Sequence, residues 1–199
     1  MAMSKKSPRS FSGTVVLASS SPRRRDLLTE FGFRFETLTA EVIEHAPVYF
    51  TVGETTLFNA KAKASAVAAL RPGEVVIGAD TLVAFEGAPL GKPRDVEEAM
   101  TMLARLSGRW HEVFSGVWLV RAARRQWRGF IEVSRVRFRV LSPAEIREYV
   151  RRVHVLDKAG AYAAQEDPRG IIAEIRGSRT NVIGLPMEAL ARVLRSFRD

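Results

Sequence analysis

The sequence predicts an α/β protein. Short apolar runs of strand length alternate with longer stretches at helical spacing along the whole chain, which is the pattern of layered helices and sheet. No Pro/Gly/Ser-rich linker, repeat or low-complexity tract divides the body. With 46% hydrophobic and 27% charged residues in 199, the chain can bury a sizeable core. Residues 1–13 are polar and basic and read as a flexible leader, leaving 14–199 as one domain.

Each element has a local cause. Thr14 to Ala18 is an apolar strand stopped by Ser19-Ser20-Ser21. Pro22 has its φ already near the helical value, so it suits the first turn of a helix to about Glu30, with Ser21 as the cap. Glu54 to Leu70 is rich in Ala and Lys at helical spacing, and Arg71-Pro72-Gly73 ends it. Val75-Val76-Ile77 reads as a buried strand that Gly78 interrupts, delivering Asp80 at its exit. After a loop around Gly87 to Pro93, Asp95 with Glu98 forms a capping-box-like start for a helix to about Leu106, which Gly108 stops. Trp110 to Val120 and Phe130 to Val140 read as paired strands. In the second, Arg135, Arg137 and Arg139 alternate with apolar residues, so one face is wet and basic. Ser142-Pro143 with Glu145 opens a short helix, Asp157 to Gly184 is loop and short strand, and Pro186 to Arg195 is a closing helix.

Composition removes several kinds of chemistry. The chain has no cysteine, so disulfides, thiolate nucleophiles and Cys-ligated zinc are excluded, and a reducing compartment fits. The histidines His45, His111 and His154 have no ligand spacing. No apolar run approaches the length that crosses a bilayer, so a cytoplasmic protein with no membrane partner is expected. Lys plus Arg is 31 against 22 for Asp plus Glu, a net +9, which raises nucleic acid or another polyanion as a partner. Only six of those basic residues are lysines.

Four features carry candidate chemistry. Ser19, Ser21, Arg23 and Arg24 sit where a strand feeds a helix, so hydroxyls, free N–H groups and guanidinium forks meet at the positive end of a helix dipole. A serine-capped helix with a solvated basic turn would use the same residues. Asp80 at a strand exit would put a carboxylate where ligands of open α/β sheets gather, or it is simply an Asx turn. Lys92 stands between Gly91 and Pro93, a frame that a flexible surface lysine would not need. Glu41 and Glu44 precede the long helix, and either could join Asp80 in holding a hard divalent cation through oxygen.

Seven segments then occur in one order: Leu17 to Leu28 (LASSSPRRRDLL), Asn59 to Ala64 (NAKAKA), Gly78 to Val83 (GADTLV), Leu90 to Pro93 (LGKP), Met102 to Val113 (MLARLSGRWHEV), Asp157 to Gln165 (DKAGAYAAQ) and Asn181 to Pro186 (NVIGLP). Together they resemble the Maf family of nucleoside triphosphate pyrophosphatases and span nearly the whole chain beyond the leader. The resemblance implies an elongated mixed sheet flanked by helices, with two lobes around a nucleotide cleft. It implies hydrolysis of a nucleoside triphosphate to the monophosphate and pyrophosphate with a divalent metal, Mg or Mn, and it makes a homodimer plausible. By the same resemblance Asp80 is proton acceptor or metal ligand, and Glu44 is its metal-binding companion. Lys63 (rather than Lys61) and Lys92 neutralise phosphate oxygens, while Ser19 and Arg24 bind the phosphate tail.

Arg23, Thr81 and Gln165 resemble the branch acting on dTTP and UTP, where the 7-methyl-GTP branch carries Trp, Gln and Glu. A Trp face suits a cationic methylated guanine, and a Glu accepts guanine N–H bonds, whereas a Gln amide can donate and accept along the O4/N3 edge of thymine or uracil. The 7-methyl-GTP alternative is thereby disfavoured. One departure is that Glu166-Asp167-Pro168-Arg169 precede Gly170, where the family has Gly directly after the Gln. The rival of another class is a nucleic-acid-binding protein using the basic strand face with Arg124, Arg125 and Arg128, but no helix-turn-helix, zinc or RNP-like pattern accompanies it, and no nucleic-acid partner is expected.

Overall fold

In a computed structural model, residues 13–165 and 170–197 are described. All of the expected leader except Gly13, and the departure at Glu166 to Arg169, lie outside them.

The first half is a parallel unit. Strand β1 (Val15–Ala18) leads through α1 (Pro22–Glu30) to β2 (Phe35–Thr37), and α2 (Val52–Leu70) carries the chain over to β3 (Val75–Phe85). β1 lies between β2 and β3 and is parallel to both. The three residues of β2 are too few to show a period, so the sequence gives no sign of them. Helix α2 starts two residues before the predicted Glu54. Thr51 Oγ1 accepts from the Glu54 amide at 3.2 Å, and the Glu54 carboxylate accepts from the Thr51 amide at 2.8 Å, a full capping box with Glu54 at its third position.

β3 corrects the sequence reading. It runs unbroken for eleven residues, and Asp80 is the sixth of them, neither at a strand exit nor in an Asx turn. Gly78 is there for close approach. A Cβ at Gly78 would lie 2.2 Å from the Ala60 carbonyl oxygen and 2.8 Å from the Ala64 Cβ. Gly116, the cross-strand partner of Asp80, is the same case, with the Leu57 amide nitrogen and Thr56 carbonyl carbon each 2.3 Å from its would-be Cβ. Two glycines flanking Asp80 therefore let α2 sit directly on the backbone of the sheet.

The second half is antiparallel. Glu86 and Gly87 both take positive φ, 53° and 79°, in a two-residue turn that pairs β4 (Ala88–Leu90) with β3. Asp95 caps α3 (Val96–Leu106), but the Glu98 carboxylate accepts from the Arg94 amide, one residue before the position a capping box would use. β5 (Trp110–Arg121), β6 (Gln126–Phe138) and β7 (Ile172–Arg176) complete a seven-stranded sheet in the order β2-β1-β3-β5-β6-β7, with β4 on β3. β6 begins four residues before the predicted Phe130, and Trp127 there stacks on Trp118 with centroids 4.9 Å apart. The basic face of β6 is wet but organised: Arg135, Arg137 and Arg176 gather over the Trp110 ring, and Glu174 pairs with the last two. Ser142 and Glu145 form a complete capping box at α4 (Pro143–Arg152). The short α5 (Arg179–Ile183), which the sequence does not announce, precedes the closing α6 (Met187–Leu194).

Apolar packing falls into two lobes along this one sheet. One gathers Leu103, Leu106, Phe138 and Ile146 under α3 and α4. The other covers both faces of β1 and the start of β3, with Leu27, Leu185 and Leu190 on one side and Ala64, Val67 and Val76 on the other. Between them the sheet has a gap. β1 stops pairing with β3 at Gly78 and β4 begins at Val83, so residues 79–82 of β3 pair only with β5 among the described residues. No described helix is long and apolar enough to cross a membrane.

His111 lies buried in the first lobe, hydrogen-bonded to the Tyr162 hydroxyl at 2.9 Å, and burial pushes its pKa down to about 4. Below its ordinary value near 6.5 the unfolded chain takes up a proton that the folded chain refuses. This contribution to stability is therefore complete above pH 6.5 and is lost as pH falls toward 4, at up to about 1.4 kcal/mol per pH unit. Urea midpoints should consequently fall more steeply from pH 7 to pH 5 for the wild-type chain than for His111→Gln, and equal slopes would refute this linkage.

Candidate active site

The gap opens into a cleft of about 770 Å³ lined by Ser19, Ser21, Arg23, Arg24, Glu41, Glu44, Lys63, Asp80, Thr81, Lys92 and Gln165. The exit of β1, the start of α1, the loop before α2, the middle of β3 and the segment after α4 all reach it.

On the α2 face, Asn59 and Lys63 are one helical turn apart and meet the carboxylate that projects between the two glycines. Lys63 Nζ donates to Asp80 Oδ1 at 2.8 Å and pairs with Glu44 Oε1, also at 2.8 Å. Asp80 is only 7% exposed, and that ammonium is its ion-pair partner. The hydrogen bond from Lys63 holds the Glu44 carboxyl below the usual carboxylate range, with burial opposing it. Asn59 fixes the loop that bears Glu44: its amide donates to the His45 carbonyl at 3.0 Å and accepts from the His45 amide at 2.9 Å, as a strand partner would. Its spacing of four from Lys63 was the available signal for this role. Lys61 points elsewhere, 5.2 Å over the Trp118 ring.

On the opposite face the first turn of α1 sends three consecutive arginines to three different anchors. Arg24 turns inward and is buried, with Nε donating to the Gly184 carbonyl at 2.9 Å, Nη1 to Ser19 Oγ at 3.0 Å and Nη2 to Thr81 Oγ1 at 3.2 Å. Burial lowers its pKa from the ordinary arginine value, and nearby Asp80 works against that. Arg25 turns back to the Ser20 carbonyl at 3.0 Å. Arg23 reaches Asp157 Oδ2 at 3.1 Å. Ser21 occupies the cap position, yet its side chain makes no capping bond. Ser21 is thus the cap residue by backbone position, as expected, while its amide is taken by Ser19 Oγ at 3.2 Å.

Thr81 faces away from Asp80, as neighbours on a strand must. Its hydroxyl lies 2.9 Å from Ser115 Oγ and donates to the Gly184 carbonyl at 3.2 Å, and it steadies the Arg24 fork. Gly184 and Ser115 were missed in the sequence because they contribute a carbonyl and a hydroxyl from distant strands and turns. Lys92 is exposed and has no ion pair among the described residues. Its Gly-Pro frame fixes the main chain, where the Gly91 carbonyl accepts from the Gly160 amide at 3.1 Å. Gln165 stands exposed on the cleft wall.

The donor set can be tested against a divalent cation. Two carboxylates that converge on one ammonium are hard oxygen donors able to share a single cationic centre. No group of three His, Cys, Asp or Glu suited to a metal occurs among the described residues. Glu44 and Asp80 thus fit an ion of the Mg or Mn kind that completes its shell with water and phosphate oxygens, and not one caged by protein alone.

A family model described as Maf-like protein matches residues 14–197. Over 183 residues the chain is 45% identical to the dTTP/UTP pyrophosphatase of Pelotomaculum thermopropionicum, covering 92% of this chain and 96% of that protein. The dTTP/UTP pyrophosphatase of Akkermansia muciniphila matches with the same identity and coverage. Among solved structures, the Ham1 protein of Staphylococcus aureus superposes with a TM-score of 0.51 at 17% identity, over 94% of this chain and 100% of that one, a likeness of fold.

Proposed function

The chain belongs to the family of Maf-like proteins, and from that premise we propose that it is a nucleoside triphosphate pyrophosphatase acting on dTTP and UTP. The observation that carries this reading is convergence. Arg23, Thr81 and Gln165, the three positions that resemble the pyrimidine branch, line the same cleft as Asp80, Lys63 and Glu44.

The reaction adds water across the α–β phosphoanhydride and yields the monophosphate and pyrophosphate. It needs a positioned water, a destination for its proton and positive charge around the departing phosphates. Asp80 takes the proton from the attacking water or lends an oxygen to the cation, and both roles require its charge. Lys63 and Lys92 neutralise phosphate oxygens, and Ser19 and Arg24 hold the phosphate tail at the start of α1. Glu44 and Asp80 would hold a divalent Mg or Mn ion, which when bound supplies further charge neutralisation at the phosphates. Arg23 and Gln165 face the base. We place this work in the cytoplasm, where nucleoside triphosphates are made and used, and assign it to residues 14–199 as one unit.

Pure protein incubated with dTTP, UTP, CTP or 7-methyl-GTP and Mg²⁺ or Mn²⁺ should release pyrophosphate from dTTP and UTP well above 7-methyl-GTP. Absence of turnover on all four would sink the proposal, and a preference for 7-methyl-GTP would reassign the branch.

A further inference from the structure

Asp157 has no part in the machinery described so far, yet it bonds to three cationic or imidazole side chains. Its Oδ1 is bonded from within its own segment, by Lys158 Nζ at 2.8 Å and His154 Nδ1 at 3.1 Å. Its Oδ2 reaches across to Arg23 on α1. Lys158 is itself buried, 5% exposed, and also donates to the His154 carbonyl, so the carboxylate is fastened on one side before Arg23 meets it. Burial raises the pKa of Asp157, and the hydrogen bonds from Lys158 and His154 more than offset this, holding its carboxyl well below the usual range.

Arg23 needs such a partner. It stands between Pro22 and the buried Arg24, whose cation repels it, and a long side chain at a helix start has many rotamers to choose from. The alternative of a passive surface ion pair fits poorly. Exposed pairs usually hold two mobile side chains, whereas here one partner is locked by two further bonds and the pair joins segments 134 residues apart on the cleft wall.

We propose that Asp157 is a positioning residue that aims the Arg23 guanidinium at the base of the bound nucleotide, the Lys158 and His154 bonds making its aim rigid. Of the five N–H donors of Arg23, one is used on Asp157, leaving four for a ligand. Asp157 thereby acts on base selection through Arg23 without touching the phosphates. The inference rests on the pyrimidine reading of the cleft given above.

The test is steady-state kinetics of the full chain with dTTP and CTP, comparing wild type, Asp157→Asn, Arg23→Gln and the double variant, with thermal melting to verify folding. Asp157→Asn should raise KM for dTTP about tenfold, keep kcat within about twofold and narrow the preference for dTTP over CTP, as expected when an oriented charged hydrogen bond is lost. The double variant should be no worse than Arg23→Gln alone, because the two residues form one unit. Asp157→Glu should recover part of the loss. Unchanged KM in a folded Asp157→Asn, or losses that multiply in the double variant, would overturn the proposal. A wild-type chain that releases no pyrophosphate overturns the functional reading itself, an outcome visible before any variant is compared.

Discussion

Asp80→Asn is expected to lower turnover on dTTP by roughly a thousandfold while leaving the melting temperature within a few degrees of wild type. The side chains are isosteric, and an amide oxygen can still accept from Lys63. What is lost is the charge on a group that is 7% exposed, in a strand whose position is set by pairing with β5 and by α2 pressed against it. An amide cannot take a proton from water, and it is a weak ligand for a hard divalent cation. Pyrophosphate release under saturating nucleotide and metal is the measurement. Near-wild-type rates would mean that Asp80 only holds Lys63 in place.

Gly78→Ala is expected to have the largest effect on stability, about 3 kcal/mol, and to lower activity as well. One added methyl would occupy space 2.2 Å from a helix carbonyl oxygen and 2.8 Å from the Ala64 side chain, and backbone cannot rotate aside as a flexible side chain could. Relief requires α2 to lift from the sheet. The helix carries Asn59 and Lys63, so that lift also withdraws the ammonium that joins Asp80 to Glu44. Urea unfolding and turnover of the folded fraction, measured together, separate the two effects. A variant as stable and active as wild type would show that the helix has slack here.

The same glycine marks where sequence reasoning stopped. The α/β class, the helix starts at Pro22 and Pro143 and the strand at Val15 were legible because they depend on local causes: proline geometry, caps and apolar runs. Gly78 looks like a break when only its neighbours in the chain are considered. Its true cause is Ala60 and Ala64, more than a dozen residues away, and a contact of that kind leaves no periodic trace. Asp80 was therefore singled out for its type and assigned the wrong place on its strand. At the site, chemistry-bearing side chains such as Lys63, Arg24 and Glu44 could be named from motif and resemblance, and all of them line one cleft. The supporting groups were not legible. Gly184 acts through a carbonyl, Ser115 through a hydroxyl opposite Thr81, and Asp157 through partners brought together only by folding.

The gap in the sheet has a consequence for how this protein can change. Residues 80–82 line the cleft on the stretch of β3 that pairs with β5 alone, and every amino acid placed there keeps the same amide and carbonyl groups, proline's missing N–H excepted. Drift in the surrounding side chains can therefore alter which bases enter while this rail of donors and acceptors stays constant. Retuning the preference for one nucleotide over another is thus a matter of side chains, Thr81 on this stretch among them, and the main chain need not be rebuilt.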